Sequence, residues 1–444
     1  MGKRFRRWEP HQALLLPPSV EDFVPDTHPA RLIRDIVQNE LDLSSVLESY
    51  QGRRGQPPYH PVMMTALLLY AYSAGVYSSR KIARACIERV DFMAVTAMEK
   101  PDFRTINDFR KRHLKALEGL FVQVLRLCDK AGLVKLTHVA LDGTKVQANA
   151  SKHKAMSYAR MCSEEKRLAD LVGDWMRKAA EIDDEEDELF GADKSGDEMP
   201  EWMKSKASRL AKIREAKAEL EKEAEQEKKE ADEAKRSNSA ECRDYGEKRR
   251  FARRTGVPHP KAQRNFTDPD SGILRSGGTY LQGYNCQAAV DSEAQIIVAR
   301  TLAAEQTDST HLLPILNQVR ENMGKQTDEI SADAGYCTEQ NLREVSRRRI
   351  RGYVAIGRQK HGTSSPGRTR SSKGPWTRAM ATRLSRAGRR SRYRLRKHVV
   401  EPVFGQIKDC RGFRRFHLRG LENVTREWSL ICIAHNLRKL VQAI

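Results

Sequence analysis

Apolar residues in the first third of the chain recur at helical spacing. Between residues 28 and 135 they return in steps of three and four, which predicts a series of helices. Pro61 suits the first turn of one helix, Ser78 or Ser79 can cap the next, and a third is predicted at about 105–131. The first two permit either a helix-turn-helix or a plain helical bundle. On the helix-turn-helix reading, the outer side of the second helix carries Arg80, Lys81 and Arg84.

The pattern changes between about 155 and 250, where the chain is rich in charge and almost free of β-branched residues. An acidic, glycine-containing segment at 183–197 separates two helical stripes of apolar residues. The first stripe comprises Tyr158, Met161, Leu168, Val172 and Trp175. The second comprises Met203, Ala207, Leu210, Ile213, Leu220 and Ala224. The spacing predicts an antiparallel helical hairpin that is inserted into the fold as a spacer or a self-association arm.

Short apolar runs elsewhere predict strands. Residues 137–141 end on Asp142 and residues 328–332 end on Asp333, while three further runs stand at 284–290, 295–301 and 353–356. A helical stripe covers 312–319, and helices are expected near 393–409 and 421–441. Without the hairpin, the order of elements predicts an α/β core with a mixed sheet.

The amino-acid composition indicates the class of binding partner. The 444 residues contain 80 Lys+Arg and 59 Asp+Glu, which gives a formal net charge of +21. A charge of this size favours a polyanionic partner, above all nucleic acid, over a merely basic soluble protein. Residues 358–397 contain fourteen Lys and Arg and no acidic residue, which predicts a flexible basic loop. Trp376 within it is available to stack against a displaced base.

The eight cysteines are scattered and form no CxxC pair, which argues against a disulfide framework and a zinc ribbon. The first residues are basic without an apolar segment of the signal-peptide type. The longest apolar run, 62–72, is too short to cross a bilayer. We therefore expect a cytoplasmic protein with no membrane partner.

Three carboxylates stand in positions that suit two-metal phosphodiester chemistry. Such a site needs oxygen ligands from several elements, because Mg²⁺ prefers carboxylates and water. Asp142 and Asp333 each follow a short apolar strand and are themselves followed closely by glycine. Glu401 stands in RKHVVEPVFGQIK, close to the apolar face of a helix that Pro402 is expected to begin. Spacing alone does not favour these three over Asp268, Asp270, Asp291 or Asp308.

Around these residues the sequence resembles a known family, the bacterial insertion-sequence transposases of the Asp-Asp-Glu class. The matching segments are ALDGTKVQANASKHK, NFTDPDSGILRSGGTYLQGYNCQAAVD, SADAGYCTEQN and RGFRRFHLRGLENV, with YHPVMMTALLLYAYSAGVYSSRKI and PDFRTINDFR nearer the N-terminus. The third carboxylate resembles a Tyr-Arg-Glu-Lys signature, written here as Tyr393-x2-Arg396-x4-Glu401-x6-Lys408. The Arg-to-Glu gap is one residue longer than the usual form, which makes Lys397 a rival to Arg396.

The resemblance implies a ribonuclease H-like fold and a reaction. Asp142, Asp333 and Glu401 would hold two Mg²⁺ ions, with Mn²⁺ tolerated, and catalyse hydrolysis at transposon ends followed by strand transfer into target DNA. The partners would be double-stranded inverted-repeat ends and target DNA, bound by a homodimer or larger assembly in the cytoplasm beside the nucleoid. The residues expected to contact DNA are Tyr393, Arg396, Lys397, Lys408, Arg411, Arg414 and Arg415. The polar residues Asn265, Asp268, Asp270 and Ser271 also resemble the family, without an assigned role.

Five segments are expected on these grounds. They are a helical, DNA-binding N-terminal domain (1–135), the first part of the catalytic core (136–154), the charged helical insertion (155–260), the second part of the core with its basic loop (261–410), and a C-terminal helix (411–444). Two alternatives remain open: a metal-dependent nuclease of the same fold that does not transpose, and a catalytically inactive DNA-binding protein derived from a transposase. A ribonuclease that processes RNA has little support beyond fold and charge.

Overall fold

The computed structural model describes residues 19–50, 57–190, 201–236, 247–276, 278–305, 307–357, 374–387 and 396–444. Its contacts divide the chain into two compact units. One contains the described residues of 1–124 together with 433–444, and the other contains those of 125–432. The candidate site residues that the structure describes all belong to the second unit.

The first unit is helical. Its helices are α1 (Pro29–Asn39), α2 (Ser44–Leu47), α3 (Pro61–Ser73), α4 (Ser79–Glu88), α5 (Val90–Thr96) and α6 (Phe103–Lys130) as far as Val124. Pro61 opens α3 as predicted, and nearly every side chain of that helix is buried. The three basic residues predicted on the outer side of α4 are exposed. The choice between a helix-turn-helix and a bundle stays a prediction.

The strands described in the second unit are β1 (Val139–Gln147), β2 (Ala155–Ser157), β3 (Gln263–Asn265), β4 (Gly272–Ser276), β5 (Thr279–Asp291), β6 (Ile297–Ala303), β7 (Glu329–Ala332) and β8 (Arg351–Val354). The main sheet has the order β4–β5–β1–β7–β8, and β6 also pairs with β5. The strands β1, β7 and β8 are parallel to one another, whereas β5 runs antiparallel to β1. The sheet is therefore mixed, as predicted.

The insertion forms the predicted hairpin. Its helices α7 (Tyr158–Phe190) and α8 (Glu201–Arg236) are followed by α9 (Glu247–Thr255), and β2 pairs with β3 where the insertion joins the core. Glu165 contacts Arg214 and Lys217, while the earlier Tyr158 contacts the later Glu221, so the helices are antiparallel. Their shared core contains Met161, Leu168, Leu210, Ile213, Ala216 and Leu220. The side chains of Trp175 and Met203 lie outside the described part.

Further helices pack around the sheet: α10 (Leu312–Met323), α11 (Glu339–Arg347), α12 (Pro375–Ala387), α13 (Arg396–Gly405) and α14 (Leu421–Ala443), the last reaching Cys432 within this unit. None of the described helices is both long and apolar enough to cross a membrane.

The helix α12 corrects the predicted basic loop. Residues 375–387 of the segment 358–397 are helical, and residues 358–373 and 388–395 lie outside the described residues. The carboxylate of Glu339 accepts hydrogen bonds from the backbone N–H groups of Trp376 and Thr377 at 3.1 and 2.8 Å. It therefore caps the start of α12 from a distant part of the chain, a contact that charge density in the sequence does not indicate.

Candidate active site

Asp142 and Asp333 lie side by side where two parallel strands separate. The register of β1 with β7 pairs Val139 with Ile330 and ends with Leu141 beside Ala332. Asp142 follows Leu141 on β1, and Asp333 follows Ala332 directly after the end of β7. Because paired residues of parallel strands lie next to each other, the carboxylates meet at this edge.

The strand β1 is longer than the sequence predicted. It was expected to end at Asp142, but it continues to Gln147 because β5 remains paired with it as far as Gly283. Only the pairing with β7 stops before Asp142. Asp142 therefore stays paired with β5 after the pairing with β7 has ended, which fixes its backbone at the point where the two parallel strands separate.

Asp142 is held by a cation and by the backbone. Its Oδ2 accepts a hydrogen bond from Nη1 of Arg396 at 3.0 Å, and its Oδ1 accepts one from the N–H of Gly143 at 2.8 Å. The side chains of Asp142 and Arg396 are 20% and 11% exposed. Burial raises the pKa of Asp142 to about 6, although the guanidinium and the Gly143 N–H act in the opposite direction.

Asp333 begins the short turn Ala334–Tyr336, and its Oδ1 accepts a hydrogen bond from the N–H of Gly335 at 2.9 Å. Burial raises the pKa of Asp333, and the negative charge of Asp308 adds to the rise. A Cβ atom on Gly335 would lie 2.9 Å from Oδ2 of Asp308 and 3.0 Å from Oδ1 of Asp333. The two carboxylates therefore face one small space, which the glycine keeps open.

Asp308 is the third carboxylate of the cluster, and the sequence had left it among the alternatives. Its Oδ1 accepts hydrogen bonds of 2.7 Å from both Asn285 and Gln287, and Nζ of Lys145 lies 3.7 Å from it. Asn285 and Gln287 are buried two residues apart on β5. Alternating polar residues on a buried strand need partners, so this pair was the signal that could have located Asp308.

A buried tyrosine completes this network. The Tyr336 hydroxyl donates a hydrogen bond to Oε1 of Gln287, whose amide nitrogen already serves Asp308. Burial raises the pKa of Tyr336 well above its usual value, and the negative charges of the three aspartates add to that effect. The hydroxyl therefore stays protonated and orients the amide that orients Asp308.

Within the described residues, Glu401 does not form a group with these two aspartates that could hold a metal ion. It lies on α13 and is exposed, whereas Val400 and Val403 on the same helix are buried. Arg396, Val400 and Val403 recur at helical spacing on the side that contacts β1, and Glu401 falls outside that stripe. The expectation that Glu401 sits close to the buried face is therefore not met. Pro402 lies within α13 and not in its first turn.

The donor set suits a hard cation. Asp142 and Asp333 present carboxylate oxygens, the ligands that Mg²⁺ takes in proteins. Across the part of the chain that the structure describes, no three His, Cys, Asp or Glu side chains form a group that could hold a metal ion. One oxygen of Asp142 is instead bound by Arg396.

The expected DNA contacts divide by environment. Lys408 lies in the turn Gln406–Cys410 after α13, and its ammonium donates to Oγ1 of Thr144 at 3.1 Å and to the carbonyl of Lys145 at 3.2 Å. Burial lowers the pKa of Lys408. Because alternate residues of a strand share a face, Lys408 and Arg396 approach β1 on the face of Asp142 and Thr144. Lys397 is exposed.

The arginines that follow are held differently from one another. Arg411 donates from Nε to the carbonyl of Gln406 at 3.1 Å and is half-buried. Arg414 is exposed and forms an ion pair with Asp409. Arg415 is exposed and donates from Nε to the carbonyl of Ala148 at 3.3 Å. Tyr393, the remaining expected contact, lies outside the described residues.

The polar loop around Asp268 has a structural role. Asp268 is fully buried and accepts hydrogen bonds of 3.0 Å from the Tyr284 hydroxyl and the N–H of Gly420, while Asp270 accepts one of 2.7 Å from the N–H of Leu421. These contacts fix the start of α14. Asp291, also fully buried, likewise accepts from the backbone N–H of Leu136. The geometry explains these three acidic residues without catalysis.

Two family models match the chain. Residues 18–112 match a transposase domain (DUF772), and residues 254–437 match a transposase DDE domain. The two matches together cover more than half of the chain. No curated protein and no solved structure matches it. With its mixed sheet, its helical N-terminal region and its paired strand-end aspartates, the chain belongs to the insertion-sequence transposases of the Asp-Asp-Glu class, with a ribonuclease H-like core.

Proposed function

We propose that this chain cleaves DNA at the ends of its element and joins the exposed 3′-hydroxyl to target DNA, with Asp142, Asp333 and Glu401 as its metal-holding carboxylates. The observation that carries the proposal is the register of β1 with β7, which sets Asp142 beside Asp333 where the two strands separate. We also assign the chain to the subgroup with the Tyr-Arg-Glu-Lys signature, on its own residues Tyr393, Arg396, Glu401 and Lys408.

Transposases of this class typically use a divalent metal ion. When bound, two Mg²⁺ ions would activate the attacking oxygen and stabilise the leaving one, and Mn²⁺ would substitute. Asp142 and Asp333 would hold the metal from the sheet. Glu401, exposed on α13, would add a ligand from that helix. The ion pair between Arg396 and Asp142 would have to open for Oδ2 of Asp142 to bind the metal.

The cations around the site have a second use. Arg396 and Lys145 balance part of the charge of three neighbouring aspartates while no phosphate is present. A DNA phosphate brings its own negative charge, so Arg396 can then transfer its hydrogen bond from Asp142 to that phosphate. Lys408, fixed against Thr144, would contact a phosphate on the same face. The further contacts that we propose are Tyr393, Lys397, Arg411, Arg414 and Arg415.

The partner on this proposal is double-stranded DNA, both the inverted-repeat ends and the target. Bringing two ends together needs at least two copies of the chain, so a homodimer or larger assembly is proposed for the DNA-bound state. The site of action would be the cytoplasm, beside the nucleoid.

The test measures cleavage and joining separately. Candidate inverted-repeat DNA is incubated with the full chain in Mg²⁺, and pre-cleaved ends with a free 3′-hydroxyl are supplied in a parallel strand-transfer reaction. We expect both products, and we expect Asp333→Asn to abolish both. The matched control is Asp328→Asn, which alters an exposed aspartate directly before β7 and should leave both reactions intact.

The remaining outcomes would support one of the alternative functions or contradict the assigned site. Cleavage without joining would identify a nuclease of the same fold. DNA binding without either product, in a wild-type chain that is folded, would identify an inactive transposase-derived DNA-binding protein. Equal activity of wild type and Asp333→Asn would contradict the assigned site.

A further inference from the structure

The chain after α13 follows β1 away from the carboxylates. The N–H of Gln147 donates to the carbonyl of Arg414 at 3.1 Å, and the N–H of Phe416 donates to the carbonyl of Gln147 at 2.8 Å. Asn149 then donates from Nδ2 to the carbonyl of His417 at 2.9 Å. The segment 408–419 and the segment that begins with β1 run in the same direction. Later residues of 408–419 therefore contact later residues of the β1 segment.

Basic side chains lie along this path at successive points. Lys408 contacts β1 at Thr144, Arg415 contacts Ala148, and Arg419 contacts Asn149. The short turn Lys152–Lys154 comes next in the chain, and both lysines are exposed. We call these residues the basic strip: Lys408, Arg415, Arg419, Lys152 and Lys154.

The two arginines are fixed in a way that suits phosphate binding. Arg415 and Arg419 are exposed, yet each donates from Nε to a backbone carbonyl, at 3.3 and 3.0 Å. A guanidinium held through Nε still has its Nη groups available as donors, and their fork matches phosphate oxygens. Because the side chain is already oriented, less conformational entropy is lost when DNA binds.

The turn that carries the lysines is also fixed. The carbonyl of Ser151 accepts a hydrogen bond from Nδ2 of Asn265 at 2.8 Å, and the carbonyl of Lys154 accepts one from the N–H of Phe266 at 3.1 Å. Three acidic groups lie beside the strip: Asp409 pairs with Arg414, Asp270 accepts from the N–H of Leu421, and the fully buried Glu427 accepts from the N–H groups of His417 and Leu418. The five basic side chains of the strip outnumber these three carboxylates, so positive charge predominates along it.

We infer that the basic strip is a binding track for the phosphates of duplex DNA, which begins at the carboxylates and runs along β1 towards Lys154. The segment from Asp142 to Gln147 spans roughly 17 Å at the rise of a strand. This corresponds to about five base pairs of B-DNA. The duplex beside the reacting phosphate is thus held by contacts that do not depend on base sequence.

The direction of the track rests on the proposed reaction site, but its existence is tested without cleavage. Fluorescein-labelled duplex DNA of random sequence is titrated with the full chain in buffer containing EDTA, at several NaCl concentrations. The slope of log affinity against log salt counts the phosphate contacts, at about 0.9 per contact. An inactive chain could still bind through the strip, so failure of the proposed reaction and failure of the track are distinguishable.

Three double variants remove the same charge. Arg415→Gln with Arg419→Gln, and Lys152→Gln with Lys154→Gln, alter the strip. The control, Lys222→Gln with Lys229→Gln, alters two exposed lysines on α8. We expect each strip variant to reduce the salt slope by about 2 and the control to keep the wild-type slope. Wild-type slopes in both strip variants, or an equal loss in the control, would overturn the inference.

A conservative double variant distinguishes the loss of phosphate contacts from misfolding. Arg415→Lys with Arg419→Lys keeps both charges, so we expect the wild-type slope to return while the affinity stays below that of wild type, since the fixed guanidinium forks are lost. A salt slope as low as that of the Gln pair in this Lys variant would count against a phosphate contact at these positions.

Discussion

Two sets of buried carboxylates in the second unit differ in what binds them. Asp268 and Asp291 are fully buried, and their partners are backbone N–H groups and a tyrosine hydroxyl. Asp142 is partly exposed, and its partner is the guanidinium of Arg396 on a separate helix. Asp333 lies beside it where β1 and β7 separate.

The direction of the pKa shift does not separate these sets, because burial raises the pKa in both of them. The presence of a charged side-chain donor separates Asp142 from Asp268 and Asp291. The backbone N–H groups that Asp268 and Asp291 accept from would lose their acceptors if these carboxylates moved, which indicates a structural role. A side-chain cation can move and be replaced by a metal ion or a DNA contact, so Asp142 is held in a way that permits exchange. The guanidinium therefore sets Asp142 apart from Asp268 and Asp291, whereas Asp333, which accepts from the N–H of Gly335, is singled out by its place beside Asp142.

The largest expected effect tests this difference directly. Asp142→Asn should reduce the cleavage rate at least about a hundredfold, because it removes a charged oxygen ligand from the site. Asp268→Asn should leave the cleavage rate per folded molecule unchanged. Cleavage of inverted-repeat DNA in Mg²⁺ measures the rate, and urea denaturation measures the folded fraction. Equal losses of rate in the two variants would mean that donor type carries no information about function.

The adjacency of Asp142 and Asp333 could be predicted from the sequence, because two short apolar runs ending in Asp predict two buried strands whose ends can meet. The length of β1 could not be predicted in this way. Residues 143–147 contain glycine and polar residues, and they are held in the strand by pairing with β5, far along the chain. The helical hairpin was predicted well, since its apolar spacing is local and long.

Asp308 and α12 show why other features of the fold and the site were not predicted from the sequence. Asp308 joins the site through Asn285 and Gln287 on another strand, and α12 is capped by Glu339 on another helix. Both depend on contacts between residues distant in sequence, which neither charge density nor periodicity records. Glu401 shows the reverse case, in which a sequence signature names a residue that the fold leaves exposed.

The structural side of the comparison predicts a loss of stability. Asp291→Ala leaves the buried N–H of Leu136 and the part-buried N–H of Glu293 without their acceptor. We expect the free energy of unfolding to fall by about 1–3 kcal/mol. Asp328→Ala, at an exposed aspartate in the same unit, should change it by less than about 0.5 kcal/mol. Chemical denaturation followed by tryptophan fluorescence measures both, and similar values for the two variants would contradict the structural role of Asp291.

The space between Asp308 and Asp333 provides the finest test. Gly335→Ala places a methyl group at about 3 Å from an oxygen of each carboxylate, so one of them must move. A displacement of this kind should reduce cleavage on the order of tenfold while the fold is retained. Gly173→Ala on α7, where a Cβ meets no atom within 4 Å, should leave cleavage unchanged and stabilise its helix by about 0.5–1 kcal/mol. If Gly335→Ala cleaves DNA at the wild-type rate, the positions of these two carboxylates do not limit the reaction, and Asp308 belongs with the structural group.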